Sequence, residues 1–321
     1  MKRFFCKLIM FTVTISIITL AVNYLFIKMD KSNPNGTNKF DNIPNTLDVC
    51  NFGSSHGLFG FNYADIQRNG YTCFNFGLVS QSISYDYRLM QQYGNHIVEG
   101  TIVFIPISYF SLFGKDEEDY EDFESKNQRY YLILPPELIK NYDVKANIYA
   151  KYLPAIGVDT ATLIKVLIGK KLAADNNENN QVIVASDIDV SEDARAAFER
   201  HIEKNKLDDN GNRILNQQEL DALYDLIEYC QDKGAVPILV TTPYLSEYTD
   251  EVKKAAPDFY DEFYSVIDAV IKSSGVDYYD YAFDERFSHS YDLFMNADHL
   301  NKEGARQFTN ILMEEVVGKY N

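Results

Sequence analysis

From Leu8 to Ile27 the chain reads LIMFTVTISIITLAVNYLFI, twenty residues without a formal charge. At about 1.5 Å of rise per residue, a helix over this run spans the roughly 30 Å hydrocarbon layer of a bilayer, so the pattern predicts a transmembrane helix. Downstream, apolar positions come in short bursts. TLDVCNF (46–52), YTCFNF (71–76) and TIVFIPI (101–107) read as strands, the first two running into Gly53 and Gly77. FGFNYADIQRNG (59–70) and the stretch from Ser82 to Tyr93 carry helical spacing, which gives β-α-β-α-β in short order. The rhythm breaks from 108 to about 215, where acidic and aromatic segments, a helix-like VDTATLIKVLIGKKLA (158–173) and the polar ADNNENNQ (174–181) read as a long insertion. It resumes with an amphipathic helix over 217–234, the strand VPILVTT (236–242), helices across 249–274, the strand VDYYDY (276–281) and a final helix after Asn301.

This alternation predicts an α/β fold: a flavodoxin-like three-layer α/β/α arrangement with a five-stranded parallel sheet and a helical insertion, preceded by one transmembrane helix. Three parts follow: a cytoplasmic N-terminus and anchor at 1–29, a linker at 30–44 rich in Asn, Pro, Gly and Lys, and an α/β domain at 45–321. With 46% of its 321 residues hydrophobic and 24% charged, the chain has the composition of an ordinary globular protein.

Charge changes the picture in one respect. Residues 1–29 hold Lys2, Arg3, Lys7 and Lys28 and no acid, whereas from residue 30 onward 26 basic side chains stand against 47 acidic ones, a balance of −21. Cations lying mostly ahead of the apolar run predict a cytoplasmic N-terminus and an extracytoplasmic domain on a single-pass cell-membrane protein. The run is longer than the apolar core of a signal peptide and no clean A-x-A site follows it, which favours an uncleaved anchor. The acidic field repels phosphate backbones and argues against nucleic acid as a partner.

Four cysteines make no disulfide framework and no C-x-x-C pair. Cys50 and Cys73, on neighbouring predicted strands, read as buried free thiols, with a disulfide as the less favoured alternative. His56, His96, His201 and His289 show no metal-ligand spacing, so neither metal nor cofactor is expected. Asp208, Asn210, Asn212 and Glu219 fall at positions 1, 3, 5 and 12 of a calcium loop, but Arg213 stands where the sharp turn needs glycine. Asn216 and Glu219 read better as a capping box. The acidic run from Lys115 to Glu124 reads as a solvated loop whose aromatic residues could stack on sugar rings.

The chemistry concentrates at two places. The first strand delivers Gly53-Ser54-Ser55-His56 into a turn, and the last leads through a loop to Asn296-Ala297-Asp298-His299-Leu300-Asn301. In a parallel sheet both arrive at one edge. A serine hydroxyl needs a base to become a nucleophile, and imidazole suits that task. Asn301 reads as the N-cap of the last helix, and Asp298 is a candidate for the same helix end.

Gly53-Ser54-Ser55 resembles the G-D-S block of SGNH (GDSL-type) hydrolases, ADHLNKEGA (297–305) resembles their histidine block, and Asn75-Phe76-Gly77 resembles their glycine block. The resemblance covers roughly 46–107 and 217–318. It implies Ser55 as nucleophile, His299 as base, the amides of Ser55 and Gly77 as oxyanion donors, and Asn75 and Ser108 near the substrate. Two positions depart from the pattern. Asn296 stands where the family's triad acid lies, leaving Asp298 or Asp292 to substitute, and the third strand ends Pro106-Ile107-Ser108-Tyr109 without the family's G-x-N-D block. Some membrane-anchored proteins that act on envelope polymers, the DltD-like proteins among them, are similar in sharing a G-S-S start and in departing from the hydrolase blocks. The resemblance therefore implies a serine esterase or O-acyltransferase acting on acylated cell-surface glycans or other envelope polymers, with a membrane-bound acyltransferase as a further partner. The alternative is a silent SGNH-like domain that binds polysaccharide or a membrane partner, a reading that Asn296 favours.

Overall fold

The computed structural model describes residues 2–29, 37–158, 160–167, 184–203, 207–208 and 210–320. Five parallel strands, β1 (Leu47–Asn51), β2 (Cys73–Asn75), β3 (Ile97–Pro106), β4 (Val236–Thr241) and β5 (Asp277–Asp280), form one sheet in the order β2-β1-β3-β4-β5. That is the flavodoxin-like doubly wound order, whose switch point lies between β1 and β3. Every predicted strand is present. β3 begins four residues before its apolar run, and Val98, Glu99 and Gly100 are exposed, so hydrophobicity does not mark that extension.

In chain order the helices are α1 (Lys2–Met29), α2 (Ser55–Gly60), α3 (Ala64–Arg68), α4 (Ile83–Tyr93), α5 (Phe123–Asn127), α6 (Val144–Tyr152), α7 (Thr160–Leu167), α8 (Val190–Phe198), α9 (Gln217–Asp232), α10 (Ser246–Ala255), α11 (Phe259–Ser274) and α12 (Lys302–Glu315). The single helix read over 59–70 is instead two short ones, α2 starting earlier at Ser55 and α3 following a break at Phe61–Tyr63. α1 is long and apolar enough to cross a membrane.

The chain folds as two compact units, one of Met1–Phe40 and Glu124–Gln181, the other of Asp41–Phe123 and Val182–Asn321. The stretch read as one insertion is thereby divided: its flanks belong with the sheet, its middle with α1. Residues 30–36 of the linker and 168–183, which include ADNNENNQ, lie outside the described residues, and Thr37–Asn42 forms a 3₁₀ turn.

Asn216 caps α9 by accepting from the Glu219 amide, as expected. Glu219 does not close the box, because the Asn216 amide donates to the Leu112 carbonyl. Its carboxylate instead accepts from the amides of Ile83 and Ser84 and the Ser84 hydroxyl, securing the first turn of α4. Asp208 folds over its own loop, accepting from the amides of Asn210 and Asn212. Cys50, Cys73 and Cys230 are buried free thiols, and burial pushes Cys73 and Cys230 up to about 12.

Candidate active site

At the carboxyl edge of the sheet, β1 turns through Gly53, whose φ of +105° is a left-handed conformation that glycine adopts without strain. A side chain there would also meet Pro106 at the end of β3, 3.1 Å away. Gly57 packs closer still, since a Cβ would lie 2.2 Å from the Phe52 carbonyl oxygen. These two glycines let α2 start directly above the strand, with Ser55 in its first turn and partly exposed. Asn51, fully buried, donates to the carbonyls of Phe52 and Gly57 and fixes that turn from below.

A buried carboxyl supports the same turn. Asp86 Oδ1 accepts from the Gly53 amide at 2.8 Å and from Gln81 Nε2 at 2.5 Å. Burial raises Asp86 from 3.8 to about 8, outweighing the two hydrogen bonds that favour the ionised form. Because the folded chain holds this proton and the unfolded chain releases it, the group's contribution to stability is complete below about pH 4 and declines as pH rises through about 8. Asp86→Asn is expected to flatten the fall in melting temperature between about pH 5 and 8, a fall whose steepest slope is about 1.4 kcal/mol per pH unit for one proton. Thermal melts of both proteins across that range check it; parallel curves would mean that Asp86 is ionised in the folded state.

The second half of the site comes from the loop before α12. Asn301 caps this helix, accepting from the amides of Glu303 and Gly304, while its side-chain amide donates to the Asp292 carbonyl. Met295 N donates to the His299 carbonyl and closes a tight loop that presents the imidazole. His299 Nε2 lies 2.8 Å from Ser55 Oγ. On its other side, Nδ1 hydrogen-bonds Asn296 Oδ1 at 3.1 Å, while Asp298 Oδ1 lies 2.9 Å away in charge contact but outside hydrogen-bond geometry. Asn296 Oδ1 also accepts from the His299 amide at 2.8 Å, so this side chain organises the loop as well as the ring. Asp292 is exposed and offers the site only its carbonyl.

Asp298 does not serve the α12 terminus. Its carboxylate is buried among three imidazoles: His299, His56 Nε2 at 3.6 Å and His201 Nδ1 at 3.4 Å. Burial alone would raise this carboxyl, yet its interactions with the neighbouring rings, that of His299 foremost, outweigh burial and shift Asp298 well below the usual carboxylate range. Burial lowers His56, and it lowers His201 to about 3, so both rings are neutral at physiological pH. His56 stacks on His299 with centroids 4.6 Å apart and planes 4° from parallel, and its Nδ1 lies 2.8 Å from Ser108 Oγ. His201 stacks on Phe110. The α8 segment adds Asp193, which accepts from the Ala297 amide.

His56 and His201 were legible in the sequence only as isolated histidines. The adjacency of His56 to Ser55 was the one available signal; His201 lies in the stretch without rhythm. Of the residues implied by the resemblance, Ser55, His299, Asn296 and Asp298 converge. Gly77 has another partner: its amide donates to Asn75 Oδ1 at 2.8 Å, and Asn75 Nδ2 donates to the carbonyls of Gly57 and Leu58, tying β2 to α2. Ser108 is buried against His56.

His56, Asp298 and His299 are close enough in side-chain atoms to suggest a metal site. The ring geometry argues against it. Imidazole binds metal through an in-plane lone pair, and two stacked, nearly parallel rings cannot aim two such pairs at one ion.

No family model matches the chain, and no curated protein matches it. Matching solved structures include a Streptococcus pneumoniae protein provisionally described as a platelet activating factor, at 9% identity over 95% of this chain and 98% of that one, with a TM-score of 0.40. They also include a Bacteroides fragilis protein provisionally described as an acylhydrolase, at 12% identity over 91% of this chain and 98% of that one, TM-score 0.40. Superposition at that level carries no weight for the chemistry.

Proposed function

We propose that this chain is a membrane-anchored serine esterase or O-acyltransferase of the SGNH type, with Ser55 as nucleophile and His299 as base. The observation that carries this reading is the 2.8 Å contact between Ser55 Oγ and His299 Nε2, backed by the Asp298 carboxylate 2.9 Å from the opposite ring nitrogen. With a proton on Nδ1, Nε2 accepts the Ser55 proton as Oγ attacks an ester carbonyl. Asp298 then stabilises the imidazolium and Asn296 orients it. The Ser55 amide, in the first turn of α2, faces no intrahelical acceptor and serves the oxyanion. Collapse of the tetrahedral intermediate breaks the ester C–O bond, the alcohol leaves with the proton from His299, and an acyl ester remains on Ser55. Water or a second hydroxyl, deprotonated by the same imidazole, then receives the acyl group.

The substrate class we assign is an acylated cell-surface glycan or related envelope polymer. The apolar α1, with its cations on the N-terminal side, supports a domain held outside the cytoplasm, where such polymers lie. The silent-scaffold alternative draws its support from Asn296, which holds the hydrogen bond to Nδ1, while the Asp298 carboxylate 2.9 Å from the same nitrogen supports the enzyme reading. An alkyl fluorophosphonate tests the reading: Ser55 Oγ is expected to displace fluoride, and peptide mass spectrometry should place the phosphonyl mass on Ser55. Unmodified Ser55 under conditions that label a control serine esterase would reject it.

A further inference from the structure

We propose that the helical segment Val144–Leu167 lies on the outer surface of the bilayer that α1 crosses, seated among anionic headgroups; this rests on reading α1 as a membrane span. Within their own unit, α6, α7 and the 3₁₀ turn Pro154–Gly157 all pack against α1. The contact has a defined place on the helix. Phe26 and Ala155 form its buried centre, with Val22, Val158 and Leu163 around them, and the Ala155 amide donates to Asn23 Oδ1 at 2.8 Å. Asn23 is only 2% exposed, so its polar group inside the apolar run is satisfied by this packing.

That position sets the depth. The apolar run ends at Ile27, so Val22 and Phe26 lie within about 8 Å of its outer end at helical rise. Interfacial helices bury their apolar faces about 5–10 Å into the headgroup and acyl boundary. The segment touching Val22 and Phe26 is thus held at that level by its own packing. It presents what such a level accepts: Tyr152, Ile156 and Ile164 are 61%, 55% and 52% exposed, and Tyr149 is exposed beside them. Tyrosine is favoured at membrane interfaces, where its ring is apolar and its hydroxyl wet.

Charge points to the headgroups. Residues 144–158 carry Lys145 and Lys151 and no acid, a balance of +2 in a chain that is otherwise strongly acidic after residue 29. Because salt screens beyond about 8–10 Å, the sign of this local patch governs its contact with a charged surface.

The chain contains no tryptophan, so single introduced tryptophans report without background. Full-length I156W and I164W are reconstituted in vesicles of phosphatidylglycerol and phosphatidylcholine with brominated acyl chains. F11W in α1 serves as the inserted control and F283W in the sheet-bearing unit as the exposed one, with circular dichroism checking each fold. Both I156W and I164W are expected to lose about half their emission or more to the bromolipid, approaching F11W, with F283W unchanged. I156W and I164W behaving like F283W while F11W is quenched would overturn the proposal and leave the anchor intact; an unquenched F11W would overturn both. Replacing phosphatidylglycerol by phosphatidylcholine is expected to lower the quenching of I156W, and equal quenching would overturn the anionic-headgroup assignment.

Discussion

Ser55→Ala is expected to lower kcat on an aryl acetate by at least about four orders of magnitude, and His299→Ala by about as much, since the two act as one unit. The double variant should be little worse than either single one. Ser54→Ala should keep most of the activity: Ser54 occupies the N-cap position of α2 without a side-chain capping bond, and it is Ser55 whose Oγ meets the imidazole. Kinetics on the three single variants and the double one check this. Comparable losses at Ser54 and Ser55, or additive losses at Ser55 and His299, would disprove the assigned pair.

Asp298→Asn is expected to lower kcat by roughly three to four orders of magnitude with KM little changed, because an amide cannot balance the imidazolium that forms in the transition state. Asn296→Ala should cost much less, about tenfold, since it removes an orienting acceptor and no charge. Asn296→Asp is expected to bring no gain. It would set a second carboxylate beside Nδ1, where Asp298 already lies 2.9 Å away, and two like charges at that range resist joint ionisation. A rise in kcat for Asn296→Asp together with a mild effect of Asp298→Asn would move the supporting role from Asp298 to position 296. Melting curves for both variants separate a chemical loss from an unfolded protein.

The sequence by itself determined the membrane-length helix, the five strands and their order along the chain. A charge-free run of twenty residues is a membrane-length helix wherever it is placed. Short apolar bursts alternating with helical periods become a parallel sheet, because side-chain direction along a strand or helix follows from local chain geometry. Asn301 was readable as a cap for the same reason: its partners, Glu303 and Gly304, lie within three residues. The approach of Ser55 and His299 followed from topology, since parallel strands deliver their following loops to one edge.

What tertiary structure alone decided is where the polar side chains turn. Asp298 was equally consistent with a helix terminus or with the ring beside it; its direction is set by His56, His201 and His299, which come from three distant stretches and meet only after folding. The partner of the Gly77 amide and the destination of the Glu219 carboxylate, which crosses to α4 over a separation of 136 residues, were closed to the sequence for that reason. The division of the 108–215 stretch between two units has a related cause: nothing in its local pattern says which apolar surface each part will cover, and burial against a neighbour depends on the whole fold.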